Sequence, residues 1–284
     1  MPLFRTQSGV DLYYEIHKPL SDNPNAETII FSHGLLWSGR MFAGQAEAFR
    51  QNYRVVTYDH RGQGQSGVPD SGYDMDTVYE DAVALIEGMR LGPCHFAGLS
   101  MGGFVGIRLA ARRPDLLRSL ILIETSADPE PEENRGKYRL LNNVVRWIGL
   151  WAVVKPVMKI MFSQSFMNNP DRAADRKTWE GELKNNKRSI TKAVNGVIDR
   201  EGIRDELDRI NLPTLIMVGE EDVATVPEKA RRIHEKIGGS TLVYIPRAGH
   251  SSSVEEPEAV TAAIATFLQG LPESVAAPSN LTTS

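Results

Sequence analysis

The chain has 284 residues, of which 41% are hydrophobic and 24% are charged, and its formal net charge is −4. These values are ordinary for a soluble globular protein with one large α/β domain, or with a core that carries a smaller insertion. No long basic run supports a nucleic-acid partner, and no apolar stretch reaches the roughly 18 residues that a membrane span needs. Because no secretory signal opens the chain and its single cysteine cannot form an internal disulfide, we expect a cytoplasmic protein.

Strand patterns and helix patterns alternate through the first half of the chain. The strands are short and apolar on both faces, as in Ile29-Ile30-Phe31, which is typical of a parallel sheet covered by helices. The predicted elements, in chain order, are strands at residues 11–16 and 28–32, a helix at 41–51, a strand at 54–58, a helix at 76–90, a strand at 94–98, a helix at 101–113 and a strand at 119–124.

The pattern changes after Ser126, because residues 127–206 contain no convincing strand and predict several helices. We therefore expect an α/β core, residues 1–126 and 207–270, interrupted by a helical insertion that we call the cap, residues 127–206. Residues 271–284 are polar and rich in small side chains, which predicts a disordered tail. After the cap the alternation resumes, with strands predicted at 213–219 and 242–245 and helices at 228–237 and 258–268.

The turn between the strand at 94–98 and the next helix reads Gly98-Leu99-Ser100-Met101-Gly102, a G-x-S-x-G pattern. A nucleophilic serine on such a sharp turn has a strained backbone, and flanking glycines avoid collisions there. The turn also puts Ser100 at a helix N-terminus, where the Met101 N–H can stabilise an oxyanion. We interpret Ser100 as the nucleophile; the alternative is an ordinary strand–helix connection with a capping serine.

A serine nucleophile needs a base, and the base needs an orienting acid. His250 is the only histidine after Ser100 that lies on a loop directly behind a predicted strand, and Asp222 follows the strand at 213–219. The chain order is therefore Ser, Asp, His, with each residue behind a separate strand. This pattern predicts a catalytic triad. Three other acids compete with Asp222 for the orienting role. We interpret Glu220 and Glu221 as solvated loop charges, and Glu124 as a helix-capping residue or a contact to the cap.

A second oxyanion donor is expected behind the strand at 28–32, where the chain reads Ser32-His33-Gly34-Leu35. Gly34 lets the backbone bend toward a substrate, and the next N–H, that of Leu35, can donate beside Met101. Large apolar side chains near this loop and in the cap are candidates for the substrate pocket, with core packing as the alternative. These pocket candidates are Trp37, Trp147, Trp151, Phe162 and Phe166.

Neither a nucleotide cofactor nor a metal has a convincing motif. Residues 62–67 match G-x-G-x-x-G, but loop residues follow them where a dinucleotide site needs a helix. No cluster of His, Cys and Asp has metal-ligand spacing. We therefore expect no cofactor and no metal.

Taken together, these motifs resemble those of the α/β-hydrolase superfamily, over residues 3–269. Each motif alone is weak, but five of them in the family's order are specific. The motifs are Ser32-His33-Gly34, Asp59-His60-Arg61-Gly62-x-Gly64-x-Ser66, Gly98-Leu99-Ser100-Met101-Gly102-Gly103, Gly219-x-x-Asp222-x-x-Thr225 and Gly249-His250.

The resemblance implies a mostly parallel eight-stranded sheet, with the helical cap inserted after the sixth strand. The subgroup that the chain resembles contains carboxylesterases, enol-lactone hydrolases, C–C bond hydrolases and cofactor-free haloperoxidases. Ser100 argues against haloalkane dehalogenases and epoxide hydrolases, which carry aspartate at that position.

We therefore expect a cofactor-free carboxylic-ester hydrolase, a monomer or homodimer, acting on small to medium, mainly apolar esters. Alternatives on the same triad are lactone hydrolysis, C–C bond hydrolysis and a haloperoxidase or perhydrolase reaction. A non-catalytic binding module is the alternative from a different class, because a fold does not fix a function.

Overall fold

The computed structural model describes residues 2–21 and 23–272. Eight strands form one sheet, and they are mostly parallel. Their apolar runs are buried on both faces in the centre of the sheet, as the sequence pattern predicts. The strands are β1 (Leu3–Arg5), β2 (Asp11–His17), β3 (Thr28–Ser32), β4 (Arg54–Tyr58), β5 (Cys94–Leu99), β6 (Leu117–Ile123), β7 (Thr214–Gly219) and β8 (Thr241–Ile245).

The order of strands across the sheet is β1-β2-β4-β3-β5-β6-β7-β8. β1 pairs antiparallel with β2 and β2 with β4, while all other pairs are parallel. The predicted fold class, a mostly parallel eight-stranded sheet flanked by helices, is confirmed. The predicted disordered tail, residues 271–284, lies outside the described residues except for Leu271 and Pro272.

Helices cover both faces of the sheet. Side chains alternate along each strand, so that Ile30 packs into one apolar layer while Ile29 and Phe31 pack into the other. The helices are α1 (Ala43–Phe49), α2 (Met75–Gly88), α3 (Met101–Arg112), α4 (Glu132–Trp147), α5 (Val154–Met161), α6 (Gln164–Asn168), α7 (Ala173–Asn185), α8 (Ile190–Ile198), α9 (Pro227–Lys236), α10 (Ser252–Glu255) and α11 (Pro257–Gln269).

Between β6 and β7 the described chain forms the five helices α4 to α8 and no strand. These helices share an apolar layer with the core, in which Met158 and Phe162 pack with core residues such as Phe31. Within residues 2–21 and 23–272, no helix is both long and apolar enough to cross a bilayer.

Candidate active site

Ser100, His250 and Asp222 meet at the carboxyl edge of the sheet, where parallel strands deliver their loops to one place. Ser100 Oγ lies 2.9 Å from His250 Nε2, and His250 Nδ1 lies 2.8 Å from Asp222 Oδ2. All three side chains are buried. The imidazole tautomer that fits both distances carries its proton on Nδ1. In this tautomer the Ser100 hydroxyl donates to Nε2, and the Nδ1–H donates to the Asp222 carboxylate. This is the geometry of a serine nucleophile with a base and an orienting acid.

The turn that carries Ser100 is strained and tightly enclosed. Ser100 has φ 52° and ψ −107°, a backbone conformation that residues other than glycine rarely adopt. A Cβ on Gly98 would lie 2.2 Å from the carbonyl oxygen of Gly102, and a Cβ on Gly102 would lie 2.1 Å from that of Ser32. The flanking glycines are therefore a requirement of the turn.

Backbone contacts to β6 hold this turn in place. Ser100 N–H donates to the Ile123 carbonyl at 2.8 Å, and the Thr125 hydroxyl donates to the Ser100 carbonyl at 2.8 Å. Sequence reasoning did not identify Thr125. Its position directly behind the strand predicted at 119–124 was the available signal.

Asp222 is held as an anion by its surroundings. Its carboxylate accepts hydrogen bonds from Ala224 N–H at 2.7 Å, from Thr225 N–H at 3.0 Å and from the Thr225 hydroxyl at 2.7 Å. Burial alone would raise the pKa of Asp222, but the neighbouring His250 and the Thr225 hydrogen bonds lower that pKa below its usual range. An anion at this position can accept the hydrogen bond from the imidazole Nδ1–H.

A second buried carboxyl group, Glu124, lies behind Asp222. Both of its oxygens are within 2.9 Å of the Gly219 N–H, so it connects the end of β6 to the end of β7. Burial, together with the Asp222 carboxylate, raises the pKa of Glu124 well above its usual range. The side chain makes no hydrogen bond to His250 within the described residues.

Glu255 supports the loop that carries the base. Its Oε1 accepts hydrogen bonds from the Gly249 and Ser251 N–H groups, both at 3.0 Å, on either side of His250. Its Oε2 accepts from the Ser163 N–H of the cap at 2.8 Å. Sequence reasoning missed this residue, although an acid five positions after a candidate catalytic histidine is a usable signal.

The two candidate oxyanion donors come from adjacent loops. Leu35 follows β3, Met101 is the first residue of α3, and neither N–H donates to an acceptor within the described residues. Gln63 joins the two loops: its Oε1 accepts from Leu36 N–H at 2.9 Å, and its Nε2 lies 3.4 Å from Met101 Sδ. Gln63 belongs to the G-x-G-x-x-G segment, whose described residues form turns and not a helix start.

Buried histidines shape the loop that carries Leu35. His33 Nδ1 donates to the Gly34 carbonyl at 2.7 Å, and His33 Nε2 accepts from the His60 N–H at 2.9 Å. Burial lowers the pKa of His33 and of His60, so both rings are neutral. With both nitrogens bonded, His33 is a loop-shaping residue and not a base.

A cavity of about 150 Å³ opens directly at the triad. A cavity of this size holds a group about as large as benzene. Ser100 and His250 line one side, and apolar side chains of the cap and of the Leu35 loop line most of the rest. The apolar lining includes Leu35, Leu36, Phe104, Leu141, Val145, Leu150, Val153, Val157, Ile160, Met161 and Val194.

The five pocket residues expected from the sequence do not line this cavity, which corrects that expectation. Trp147 and Trp151 are 75% and 66% exposed. Trp37 is buried, with its ring centroid 5.8 Å from that of Phe162, and Phe162 stacks on Phe166 at 4.7 Å. The buried three form an aromatic contact between core and cap. Trp37 also borders a separate hollow of about 570 Å³ that neither Ser100 nor His250 lines.

Among the described residues, no group of three or more His, Cys, Asp or Glu side chains is arranged to hold a metal ion. Cys94 is buried in the sheet, and burial raises the pKa of its thiol to about 12.

Comparisons with known proteins agree with this architecture. A family model described as the alpha/beta hydrolase fold matches residues 27–257. A protein of Rhizobium rhizogenes named "Putative carbamate hydrolase RutD" is 30% identical over 266 residues, which cover 92% of this chain and 99% of that protein.

Two solved structures have the same shape over nearly the whole chain. The enol-lactonase of Burkholderia xenovorans LB400 is 26% identical with a TM-score of 0.86, and the match covers 94% of this chain and 100% of that one. A thermophilic esterase of Thermogutta terrifontis is 27% identical with a TM-score of 0.85, and the match covers 94% of this chain and 97% of that one.

Proposed function

Since the chain belongs to the α/β-hydrolase family, we propose that it is a serine hydrolase that cleaves carboxylic esters at Ser100. The observation that carries the proposal is the continuous hydrogen-bonded series from Ser100 through His250 to Asp222, with an apolar cavity at the serine. The similarity to an esterase supports the same reaction.

The reaction proceeds in two acyl-transfer steps. His250 Nε2 takes the Ser100 proton as Oγ attacks the ester carbonyl, and the imidazolium then protonates the departing alcohol. In the second step His250 takes a proton from the water that attacks the acyl-enzyme, and the imidazolium returns this proton to Ser100 Oγ as the acid is released. Asp222 stabilises the imidazolium in both steps and keeps the Nδ1–H directed away from the serine.

Charge develops on the carbonyl oxygen during both steps, and we assign the Leu35 and Met101 N–H groups to stabilise it. Both are free to donate within the described residues, and Met101 adds the positive end of the α3 dipole. The placement of the Leu35 loop then depends on Gln63, which is buried and bonded to the neighbouring Leu36 N–H.

Replacing Gln63 with leucine is expected to lower kcat about tenfold, because the Leu36 loop loses its anchor and the Leu35 N–H moves from its productive position. KM for a small ester should change less than kcat, since substrate binding relies on the apolar cavity. Steady-state kinetics with p-nitrophenyl butyrate measure both constants. Gln65→Ala, an exposed change in the same loop, serves as the control; equal kinetics for the two variants would contradict the role of Gln63.

The cap supplies most of the cavity wall, and we propose that residues 127–206 act as a lid that sets acyl-chain preference. Because the cavity is small, short to medium acyl groups fit it best. Met161→Ala, which removes a buried side chain from that wall, is expected to shift the optimum toward longer p-nitrophenyl esters. The ratio of kcat/KM between long and short esters should change by about tenfold or more, the usual worth of pocket methylenes.

Trp147→Ala is the matched control, because that side chain lies in the cap but is exposed. It should keep the parental chain-length profile. A parental profile in folded Met161→Ala, judged by circular dichroism, would mean that the cap wall does not select the acyl group.

A second candidate on the same residues is lactone hydrolysis, favoured by the similarity to an enol-lactonase. One experiment ranks the reactions: kcat/KM on p-nitrophenyl esters of graded length, lactones and carbamates, together with fluorophosphonate labelling of the chain. Labelling at Ser100 with esters as the best substrates supports the proposal. If Ser100 is labelled but lactones or carbamates are the preferred substrates, that reaction replaces ester hydrolysis as the assigned function. If Ser100 is not labelled, its assignment as the nucleophile is overturned.

A further inference from the structure

The mainly apolar cavity at the triad contains one buried ion pair. Arg200 and Glu130 both line it, their side chains are 3% and 8% exposed, and Arg200 Nη1 lies 2.7 Å from Glu130 Oε2. A charged pair in an apolar wall is expensive to desolvate and is poor evidence of stabilisation by itself. Its place beside the nucleophile suggests a role in recognition.

The pair has one spare donor. Arg200 Nε donates to the Asp128 carbonyl at 3.2 Å, and Nη1 donates to Glu130 and to the Val197 carbonyl at 2.9 Å. Within the described residues Nη2 has no acceptor, and it is not among the fully buried unpartnered atoms, so a small molecule can reach it. Each Glu130 oxygen already accepts one hydrogen bond, the second from Asn134 Nδ2 at 3.3 Å.

The guanidinium of Arg200 packs beside the helix that carries the nucleophile. The guanidinium carbon of Arg200 is 4.6 Å from the centre of the Phe104 ring. Phe104 is one turn after Ser100 in α3, which is about 6 Å along the helix axis. An acyl chain bonded to Ser100 and lying along this wall therefore reaches the guanidinium after a few carbon atoms.

We propose that Arg200 is a specificity-determining residue, and that the preferred substrates are esters whose acyl chain carries a neutral carbonyl oxygen for its free N–H groups. The inference rests on the proposed ester hydrolysis and narrows its substrate class. A purely hydrocarbon chain leaves these N–H groups unpaired and desolvated. A carboxylate is disfavoured because the adjacent Glu130 already neutralises the arginine and would repel a second anion.

The test compares p-nitrophenyl hexanoate with analogues in which one chain methylene is replaced by a carbonyl, moved stepwise along the chain. A further analogue ends in a carboxylate. Each kcat/KM is divided by the hydroxide-catalysed rate of the same ester, which removes differences in intrinsic reactivity. For at least one carbonyl position the corrected kcat/KM should exceed that of the hexanoate by about tenfold or more. The carboxylate analogue should show no such gain.

The variant that tests the residue replaces both charges, Arg200→Leu with Glu130→Leu, because removing one would leave the other buried and unpaired. In this double variant the carbonyl-to-hexanoate ratio should fall close to one. The control is Arg139→Ala with Asp199→Ala, an exposed ion pair at 2.7 Å between α4 and the residue after α8, which should keep the parental ratio.

The inference is overturned if, in the parent protein, the ratio of corrected kcat/KM between carbonyl analogue and hexanoate is near one at every carbonyl position. The proposed function still stands in that case, provided that the hexanoate is hydrolysed. The inference is also overturned by a carbonyl preference that survives in the folded double variant, or by a best substrate that is the carboxylate. Because the parent protein's substrate series is decisive alone, a double variant that fails to fold does not rescue the inference. No turnover on any ester overturns the proposed function and this inference with it.

Discussion

Replacing Ser100 with alanine is expected to lower kcat for ester hydrolysis by about 10⁶-fold, because the covalent route disappears when Oγ is removed. The fold should survive, since the hydrogen bonds that hold this turn use the Ser100 backbone and the Thr125 hydroxyl, not the serine side chain. Initial rates with a p-nitrophenyl ester, combined with a thermal unfolding curve, measure both parts of the expectation.

The nucleophile assignment would not survive turnover within about tenfold of the parent enzyme. Mass spectrometry after fluorophosphonate treatment gives an independent readout, because the adduct should map to Ser100 in the parent and be absent from the alanine variant. Ser126→Ala, which changes a buried serine next to Thr125, is a suitable control and should still be labelled at Ser100.

Asp222→Asn is expected to lower kcat by about 10⁴-fold with little effect on folding. The amide nitrogen of asparagine donates where the carboxylate accepted, so it favours the imidazole tautomer whose proton is on Nε2. That tautomer cannot accept the Ser100 proton. The pre-steady-state burst of p-nitrophenol should slow with kcat, because formation of the acyl-enzyme itself needs the base.

Two further variants separate Asp222 from its acidic neighbours. Glu124→Gln should stay within about tenfold of the parent, because glutamine has nearly the same shape and Glu124 makes no hydrogen bond to His250 within the described residues. Glu220→Gln, an exposed change in the Asp222 loop, should be mild as well. If Glu124→Gln were severe and Asp222→Asn mild, the orienting acid would lie behind β6 and the assignment of Asp222 would be wrong.

Much of the fold could be predicted from the sequence, because central strands such as β3 and β5 are short apolar runs whose neighbours are turns and amphipathic helices. β1 was missed by pattern alone: its three residues are too few for periodicity, and it forms through pairing with β2. The predicted helix at residues 41–51 is a 3₁₀ turn, Gly39–Phe42, followed by the shorter α1.

For the site, local patterns were enough to nominate Ser100, Asp222 and His250, because each lies directly behind a strand and parallel strands end at one edge. The roles assigned to them stay predictions until the variants are measured. Gln63 could not be found in the same way, since it acts through a contact with Leu36 on a separate loop. For Glu255 the bonds to the neighbours of His250 are local, but the bond to Ser163 joins segments that are distant in sequence.

The pocket was predicted poorly for a different physical reason. The apolar run at residues 147–154 has no clear period, so the sequence does not say which side chains face inward. α4 ends at Trp147 and the chain turns, so that Leu150 and Val153 enter the cavity wall while Trp151 lies on the surface. Aromatic size was therefore a poor guide to the lining, and smaller aliphatic residues form it.

The contact made by Glu255 limits how this enzyme can be recombined. One carboxylate bonds both neighbours of His250 and also the Ser163 N–H of the cap, so the base loop and the cap share this anchor. A chimera that receives a foreign cap without a matching N–H would leave one Glu255 oxygen buried and unsatisfied beside the base. Cap exchange in this scaffold should therefore retain the segment around Ser163 and exchange only the helices before it.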